Sequence, residues 1–447
     1  MAFLKFRKGK KRVFVFSIDG VPYTFLKAQM EAGRFPHLRE LDGQSPLSRM
    51  RSVYPTISSV AWSSYMTGQN PAKHGIFGFV DRKPGSAEVF IPTSLNMTSK
   101  TLWEILSQHG KQVVVMNVPV TYPPRQVNGL LVSGFLATDL KKATYPAEAA
   151  AELESMGYRI DADAALARES LDRFLDDLHQ TLDRRVEAMF HLMEHRPWDY
   201  FHVHIMGTDR INHFLWGHME RGDATYAPLF LEYYDRIDEI LGRLLDRLDP
   251  EVHFILMSDH GFCTIKGEIN LSRYLIEQNL LKYRSSPPKG LADIHPESRA
   301  YTLLPGRVYI NLKGREPQGG VDPEEYEQVR DQVADTLLQF RLPDSGEPVI
   351  REVFKREDIY SGEHLEAAAD LFAIPHDGFD LKADARKETL VEHSALVGMH
   401  TYDDASVLIR GSTAIRPNVE IIDLLPTVFD LMDVPVPADI DGRNAVT

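Results

Sequence analysis

The sequence predicts an α/β fold, a mostly parallel central sheet with helices on both faces. Two observations carry this. Short, continuously apolar, β-branched runs alternate with stretches of helical periodicity, the pattern of strands buried on both faces. Acidic residues followed by glycine stand directly after two of those runs, as Asp19-Gly20 and Asp259-His260-Gly261. That is the edge at which open α/β sheets bind ligands.

Taken in order, the candidate buried strands are Val13–Ile18, Gln112–Asn117, Tyr200–Ile205, Val252–Ser258, Leu371–Ile374 and Ser406–Ile409. Helical patterns fill the intervals at Ser58–Thr67, Thr101–His109, Leu166–His195, Ala227–Leu248 and Pro323–Gln339. The stretch from Arg284 to Gly320 breaks the rhythm, being rich in proline, glycine and charge. Loops of more than about 15 residues are usually lids or linkers. Residues 264–395 are therefore expected to form an insertion or cap, with Arg307–Leu312 as an antiparallel or edge strand. The core comprises residues 1–263 and 396–447. No repeat or low-complexity tract is present.

Composition limits the chemistry. The 447 residues include 50 Lys+Arg and 64 Asp+Glu, a formal net charge of −14, with 43% hydrophobic residues. This is the mix of a globular protein large enough to bury a full core. The acidic balance disfavours general nucleic-acid binding, whose affinity comes from neutralising phosphates. The lone Cys263 excludes a disulfide framework and Cys-rich metal modules, so any metal here must use the 17 histidines and the carboxylates. The apolar run after the basic start is too short for a signal core, and no stretch reaches the about 18 apolar residues of a membrane span. A cytoplasmic protein is expected. The cluster Lys5, Arg7, Lys8, Lys10, Lys11 and Arg12 reads as a solvated lead-in to the first strand, with contact to anionic lipid or RNA as the competing reading.

Asp209 and His213 follow the strand Tyr200–Ile205 at i, i+4, so a helix places both on one side with metal-ligand spacing. His202 and His204, within that strand, read as packing, and His218 as a surface or supporting residue. Thr56 sits at the start of the helix Ser58–Thr67, where unpaired backbone N–H groups favour an anion; an ordinary N-cap is the competing reading. Asp19 and Asp259 have the same alternative use as caps. Cys263 reads as core, and the aromatic residues Phe214, Trp216, Tyr226, Tyr233 and Tyr234 as core, with Trp216 near enough to His213 to wall a pocket.

In order and position, FSIDG, VYPTISSVAWSSYMTGQNPAKHGIFGF, TDRINHFLWGH, MSDHGF, GMHTYDD and IIDLLPTVFDLMDVPVPADIDGR resemble the alkaline phosphatase superfamily. The type I phosphodiesterase/nucleotide pyrophosphatase branch and its predicted phosphohydrolase/phosphomutase group are the nearest. The resemblance spans nearly the whole chain. It implies that Asp209, His213 and His400 bind one metal and Asp19, Asp259 and His260 another, with Thr56 as the nucleophile touching the second. It also implies two divalent ions, zinc by family habit, with Mn²⁺ also compatible with carboxylate and imidazole ligands. Two cations about 4 Å apart clamp an anionic phosphoester and activate the attacking oxygen, and their local charge must override the global −14.

One departure stands out. Phosphodiesterases of this branch carry an asparagine five residues after the histidine of their His-Gly-Ile segment, and here Phe79 occupies that place. Asn117, at a strand end, is a candidate replacement, with a turn-forming role as its alternative. Arg210, beside a ligand, is a further candidate for phosphate. The implied activity is hydrolysis of diesters or pyrophosphates in small phosphorylated substrates, through a phospho-threonine intermediate. A phosphomonoesterase, a phosphomutase or phosphotransferase with a water-excluding cap, and a non-catalytic metal-binding member are the competing readings. Nothing in the sequence sets the oligomeric state. No P-loop, dinucleotide fingerprint or nucleophile elbow is found.

Overall fold

The computed structural model describes residues 11–412 and 414–446. These fall into two compact units. The first is drawn from Met1–Gln69, Thr93–Cys263 and His400–Thr447, the second from Asn70–Pro92 and Thr264–Met399. Residues 70–92 thus group with the long insertion and not with the chain that flanks them. Of the N-terminal basic cluster, Lys5, Arg7, Lys8 and Lys10 lie outside the described residues. Lys11 pairs with Asp433 at 2.7 Å and Arg12 with Asp249 at 3.2 Å.

The first unit is built on an eight-stranded sheet. Five adjacent strands run parallel in the spatial order His253–Met257, Val13–Ile18, Tyr200–Ile205, Val113–Met116, Gly129–Val132. Ala405–Ile409 joins antiparallel beside His253–Met257, with Ser48–Met50 outside it, and Thr144–Tyr145 closes the other edge antiparallel. Every residue of Val13–Ile18 and Tyr200–Ile205 is buried, which explains their unbroken apolar or neutral reading: neither face can meet water. Phe14 stacks on Phe201 with ring centroids 4.9 Å apart.

The expected helix Leu166–His195 divides at Ser170, whose extended backbone and side chain cap the 25-residue helix Leu171–His195. That helix buries Phe174, Leu178, Leu182, Val186 and Met189 at helical spacing. Glu104 and Thr101 form a capping box that starts Leu102–Gln108.

In the second unit, Ala300–Leu303, Arg307–Ile310, Leu371–Pro375 and Ile350–Lys355 form an antiparallel four-stranded sheet in that order. The run Leu371–Ile374, read as one of the buried strands of the α/β pattern, belongs here. Antiparallel and parallel strands cannot be told apart by an apolar run alone. Arg307–Ile310 is antiparallel and lies inside the sheet, not at its edge. The helix Tyr326–Leu338 buries Val329, Val333 and Leu337.

Candidate active site

Three adjacent strands deliver the acidic residues to one edge. Val13–Ile18 lies between His253–Met257 and Tyr200–Ile205, so Asp19 and Asp259 emerge side by side. The helix Gly207–Glu220 starts just past Tyr200–Ile205 and carries Asp209 and His213 one turn apart. His400 comes from the strand Gly398–Thr401. Gly20, at φ 66°, is required by the turn: a Cβ there would stand 2.9 Å from the Phe262 ring. Its N–H donates to Asp259 Oδ1 at 3.1 Å, and its carbonyl accepts from Asn212 Nδ2 at 2.8 Å. Tyr234 holds Asn212 in turn.

Two ligand sets result. His400 Nε2 stands 3.2 Å from Asp209 Oδ1 and 3.1 Å from His213 Nε2, which is itself 3.3 Å from Asp209 Oδ1. His260 Nε2 lies 3.5 Å from Asp19 Oδ1 and 3.4 Å from Asp259 Oδ2. The His260 and His400 rings stack with centroids 3.6 Å apart, so the sets are neighbours. Asp19, Asp259 and His260 have no solvent exposure.

The electrostatics point to missing positive charge. His260 Nδ1 donates to Gly261 O at 3.0 Å and His400 Nδ1 to Thr56 O at 3.1 Å. Each ring therefore turns Nε2 toward the carboxylates, as imidazole ligands do. Asp259 Oδ2 is buried and accepts no hydrogen bond among the described residues. Burial and the charge of Asp19 push the Asp259 carboxyl well above the usual range. Burial alone would lower His260, but the charges of Asp259 and Asp19 push it up to about 9. Burial and the charge on His260 push His400 down to about 4. Asp19 and Asp209 stay well below the usual carboxylate range, since their histidine partners outweigh burial. A buried cluster of this kind, with a carboxylate oxygen lacking a donor, fits a cation. Two overlapping groups have ligand atoms close enough to share a metal, Asp209 with His260 and His400, and Asp19 with Asp259 and His260; His260 stands in both, and His213 reaches the first only beside Asp209 and His400.

Thr56 is half-buried, and its hydroxyl donates to Val53 O at 3.0 Å. It does not cap the helix Ser58–Thr67; that position is Ile57, whose side chain makes no cap bond. The hydroxyl that reaches the ligands is Ser58, with Oγ 3.3 Å from Asp19 Oδ1 and 3.4 Å from His260 Nε2. No local signal in the sequence separates Ser58 from the neighbouring serines. Trp62, one turn further, donates its indole N–H to Asp19 Oδ2 at 2.9 Å. Phe262 packs its ring against His213 and His400 and forms an apolar wall. Trp216 is buried among Phe25, Phe230 and Phe262.

The other candidates are placed as follows. Arg210 gives its Nε and Nη2 to Asp161 at 3.2 and 2.7 Å, leans on Asp209 at 3.5 Å and covers the Phe135 ring. Asn117 is buried in the left-handed region at φ 70°, as its turn-forming reading requires, and its Oδ1 accepts from Tyr158 at 3.3 Å. Phe79 belongs to the second unit. His218 pairs with Asp223, and Cys263 is half-buried in the strand Gly261–Thr264. Among the described residues no helix is long and apolar enough to cross a membrane.

Residues 13–403 match the family described as type I phosphodiesterase / nucleotide pyrophosphatase. Among solved structures, the chain is similar to phosphonoacetate hydrolase from Sinorhizobium meliloti in complex with phosphonoformate, at TM-score 0.63 and 17% identity, covering 97% of this chain and 98% of that one. It is similar to murine ectonucleotide pyrophosphatase / phosphodiesterase 5 in an inactive threonine-to-alanine form in complex with AMP, at TM-score 0.58 and 16% identity, covering 96% of each. The human form of that protein gives TM-score 0.56 and 15% identity, over 96% of this chain and 97% of that one. No curated protein matches the chain.

Proposed function

The chain belongs to the type I phosphodiesterase / nucleotide pyrophosphatase family, phosphohydrolases of the alkaline phosphatase superfamily, and we propose that it cleaves phosphodiester or pyrophosphate bonds of small phosphorylated substrates with two divalent ions, zinc foremost. One observation carries this reading: buried carboxylates and imidazole Nε2 atoms converge on one sheet edge with too little positive charge among them. Asp209, His213 and His400 would hold one ion, and Asp19, Asp259 and His260 the other. When bound, the ions would supply charge to the phosphoryl oxygens and lower the pKa of a neighbouring hydroxyl.

The resemblance assigned the nucleophile to Thr56; the geometry favours Ser58. Ser58 Oγ is the hydroxyl beside Asp19 and His260, while Thr56 spends its proton on Val53 O. In this reading Ser58 Oγ bonds to phosphorus as the leaving-group oxygen departs, and water later breaks the phospho-serine bond. Thr56 supports His400 through its carbonyl. The single half-buried cysteine agrees with a cytoplasmic location.

The test is hydrolysis of bis-p-nitrophenyl phosphate and of p-nitrophenyl phosphate by zinc- and manganese-reconstituted protein. Diester cleavage is expected to dominate. Ser58→Ala should lose at least about 10³-fold in kcat, the scale of nucleophile removal, and Thr56→Ala about 10-fold or less. A dead Thr56→Ala with an active Ser58→Ala returns the nucleophile to Thr56. A wild type inert toward every ester, with both ions bound, overturns the reading.

A further inference from the structure

His202 and His204 face the same side of the strand Tyr200–Ile205 as Tyr200, since alternate residues share a face. Ser17, on the neighbouring strand, pairs in register with His204. The helix Ser58–Thr67 covers that face, with Trp62 over His204 and Tyr65 over His202 at ring separations of 4.6 and 5.4 Å. All of these side chains are at most 1% exposed, so the polar groups must satisfy one another.

They do so in a line. Tyr65 OH lies 2.9 Å from Tyr200 OH, and Tyr200 OH 3.2 Å from His202 Nδ1. His202 Nε2 lies 2.8 Å from Ser17 Oγ, and Ser17 Oγ 3.0 Å from His204 Nδ1. His204 Nε2 then faces Asp19 Oδ2 at 3.1 Å, off the line of a straight hydrogen bond and without another partner among the described residues. Ser17 Oγ also lies 3.3 Å from Val203 O, a longer alternative for its single proton.

The anion at the end fixes the direction. A carboxylate only accepts, so His204 Nε2 must carry the proton and Nδ1 must accept from Ser17. Ser17 then accepts from His202 Nε2–H, His202 Nδ1 from Tyr200, and Tyr200 from Tyr65. The reverse direction would set a lone pair of His204 against the carboxylate. Each link pairs one donor with one acceptor inside a fully buried layer, so the chain is a line of aligned dipoles.

We propose that Tyr65, Tyr200, His202, Ser17 and His204 form one proton-aligned chain that, with Trp62, pins Asp19 Oδ2 and leaves Oδ1 to face the ligand site. Trp62 donates to the same Oδ2, while Oδ1 is the oxygen nearest Ser58 and His260. The chain is a positioning device for Asp19, and it rests on the reading of Asp19 as a metal ligand. Supporting groups behind a metal ligand typically alter affinity by about 10–100-fold.

Long-range ¹H–¹⁵N correlation spectra of the ring nitrogens in the full chain give the direct test. Both His202 and His204 should be Nε2–H tautomers, and an Nδ1–H tautomer at either ring overturns the proposal. Ser17→Ala cuts the chain beside His204 and should weaken zinc binding, measured by chelator competition, by about 10-fold or more. Ser17→Thr, which keeps the hydroxyl, should restore it. Unchanged zinc affinity in Ser17→Ala overturns the proposal. Should Ser17→Ala fail to fold, Tyr65→Phe serves: loss of the terminal donor should shift the His202 ring resonances, and unshifted resonances count against the chain. A wild type with both expected tautomers but no zinc binding would overturn the metal reading itself, a distinguishable failure.

Discussion

Both units bury acidic side chains, but they settle them differently. In the second unit the buried acids meet cations: Glu268 meets Lys382 at 3.5 Å, and Asp370, Asp81 and Glu316 meet arginine. Asp370 accepts two hydrogen bonds from Arg315, at 2.7 and 2.5 Å, one from Tyr326 at 2.6 Å and one from the Ile310 N–H at 2.7 Å. Asp81 pairs with Arg307 at 2.5 Å, and Glu316 with Arg82 at 3.2 Å, Arg315 at 2.9 Å and Tyr301 at 2.9 Å. In the first unit Asp19, Asp209 and Asp259 face one another across imidazoles, with Arg210 no nearer to Asp209 than 3.5 Å, and one Asp259 oxygen has no donor among the described residues. Buried charge alone is thus no sign of function, since the balanced cluster is what a folded core tolerates. The missing counter-charge marks the site.

The sharpest way to break this contrast is to neutralise one acid in each cluster. Asp259→Asn should abolish ion binding at its set and lower esterase activity by more than about 10³-fold, while the metal-free protein melts no lower than wild type, because a repelling buried charge is removed. Asp370→Asn should do the opposite. It should cost about 3 kcal/mol in denaturant unfolding, the scale of breaking one side of a buried pair, with zinc content unchanged.

Acid sharpens the same contrast. Burial raises the Asp370 carboxyl, yet Arg315 and Tyr326 outweigh it and hold the group below its ordinary range. A carboxyl whose folded pKa is depressed stabilises the protein above its unfolded value, about 3.9, and loses that contribution as pH falls through the folded value. Wild type should therefore lose unfolding free energy below about pH 4 more steeply than Asp370→Asn in urea titrations at several pH values. The smallest effect belongs to a solvated pair. Arg273 and Glu277 meet at 2.8 Å on a helix surface, and Glu277→Gln should change stability by less than about 0.5 kcal/mol, a baseline for the buried clusters.

Much of the site was legible because its residues stand at strand ends. Asp19 and Asp259-His260 close apolar runs, and Asp209 and His213 share a helix side. His400 carried no local signal and entered only through the resemblance. Ser58 was hidden among serines in SSVAWSS, since register alone cannot say which hydroxyl a helix start aims at a carboxylate. From sequence His202 and His204 read as packing, because alternation in a strand shows which face they share but not that Ser17 and Tyr65 complete a polar line there. The short strands Ser48–Met50 and Thr144–Tyr145 fall below the length at which periodicity speaks. The grouping of residues 70–92 with the insertion depends on contacts distant in sequence, such as Arg307 with Asp81.

The central claim is that the uncompensated carboxylate cluster is a two-ion site. Isothermal titration of the metal-free chain with zinc tests it most directly. Two ions per chain are expected for the wild type and at most one for Asp209→Asn. No binding by the wild type, or two ions still bound by the Asp19→Asn, Asp209→Asn double variant, would contradict it.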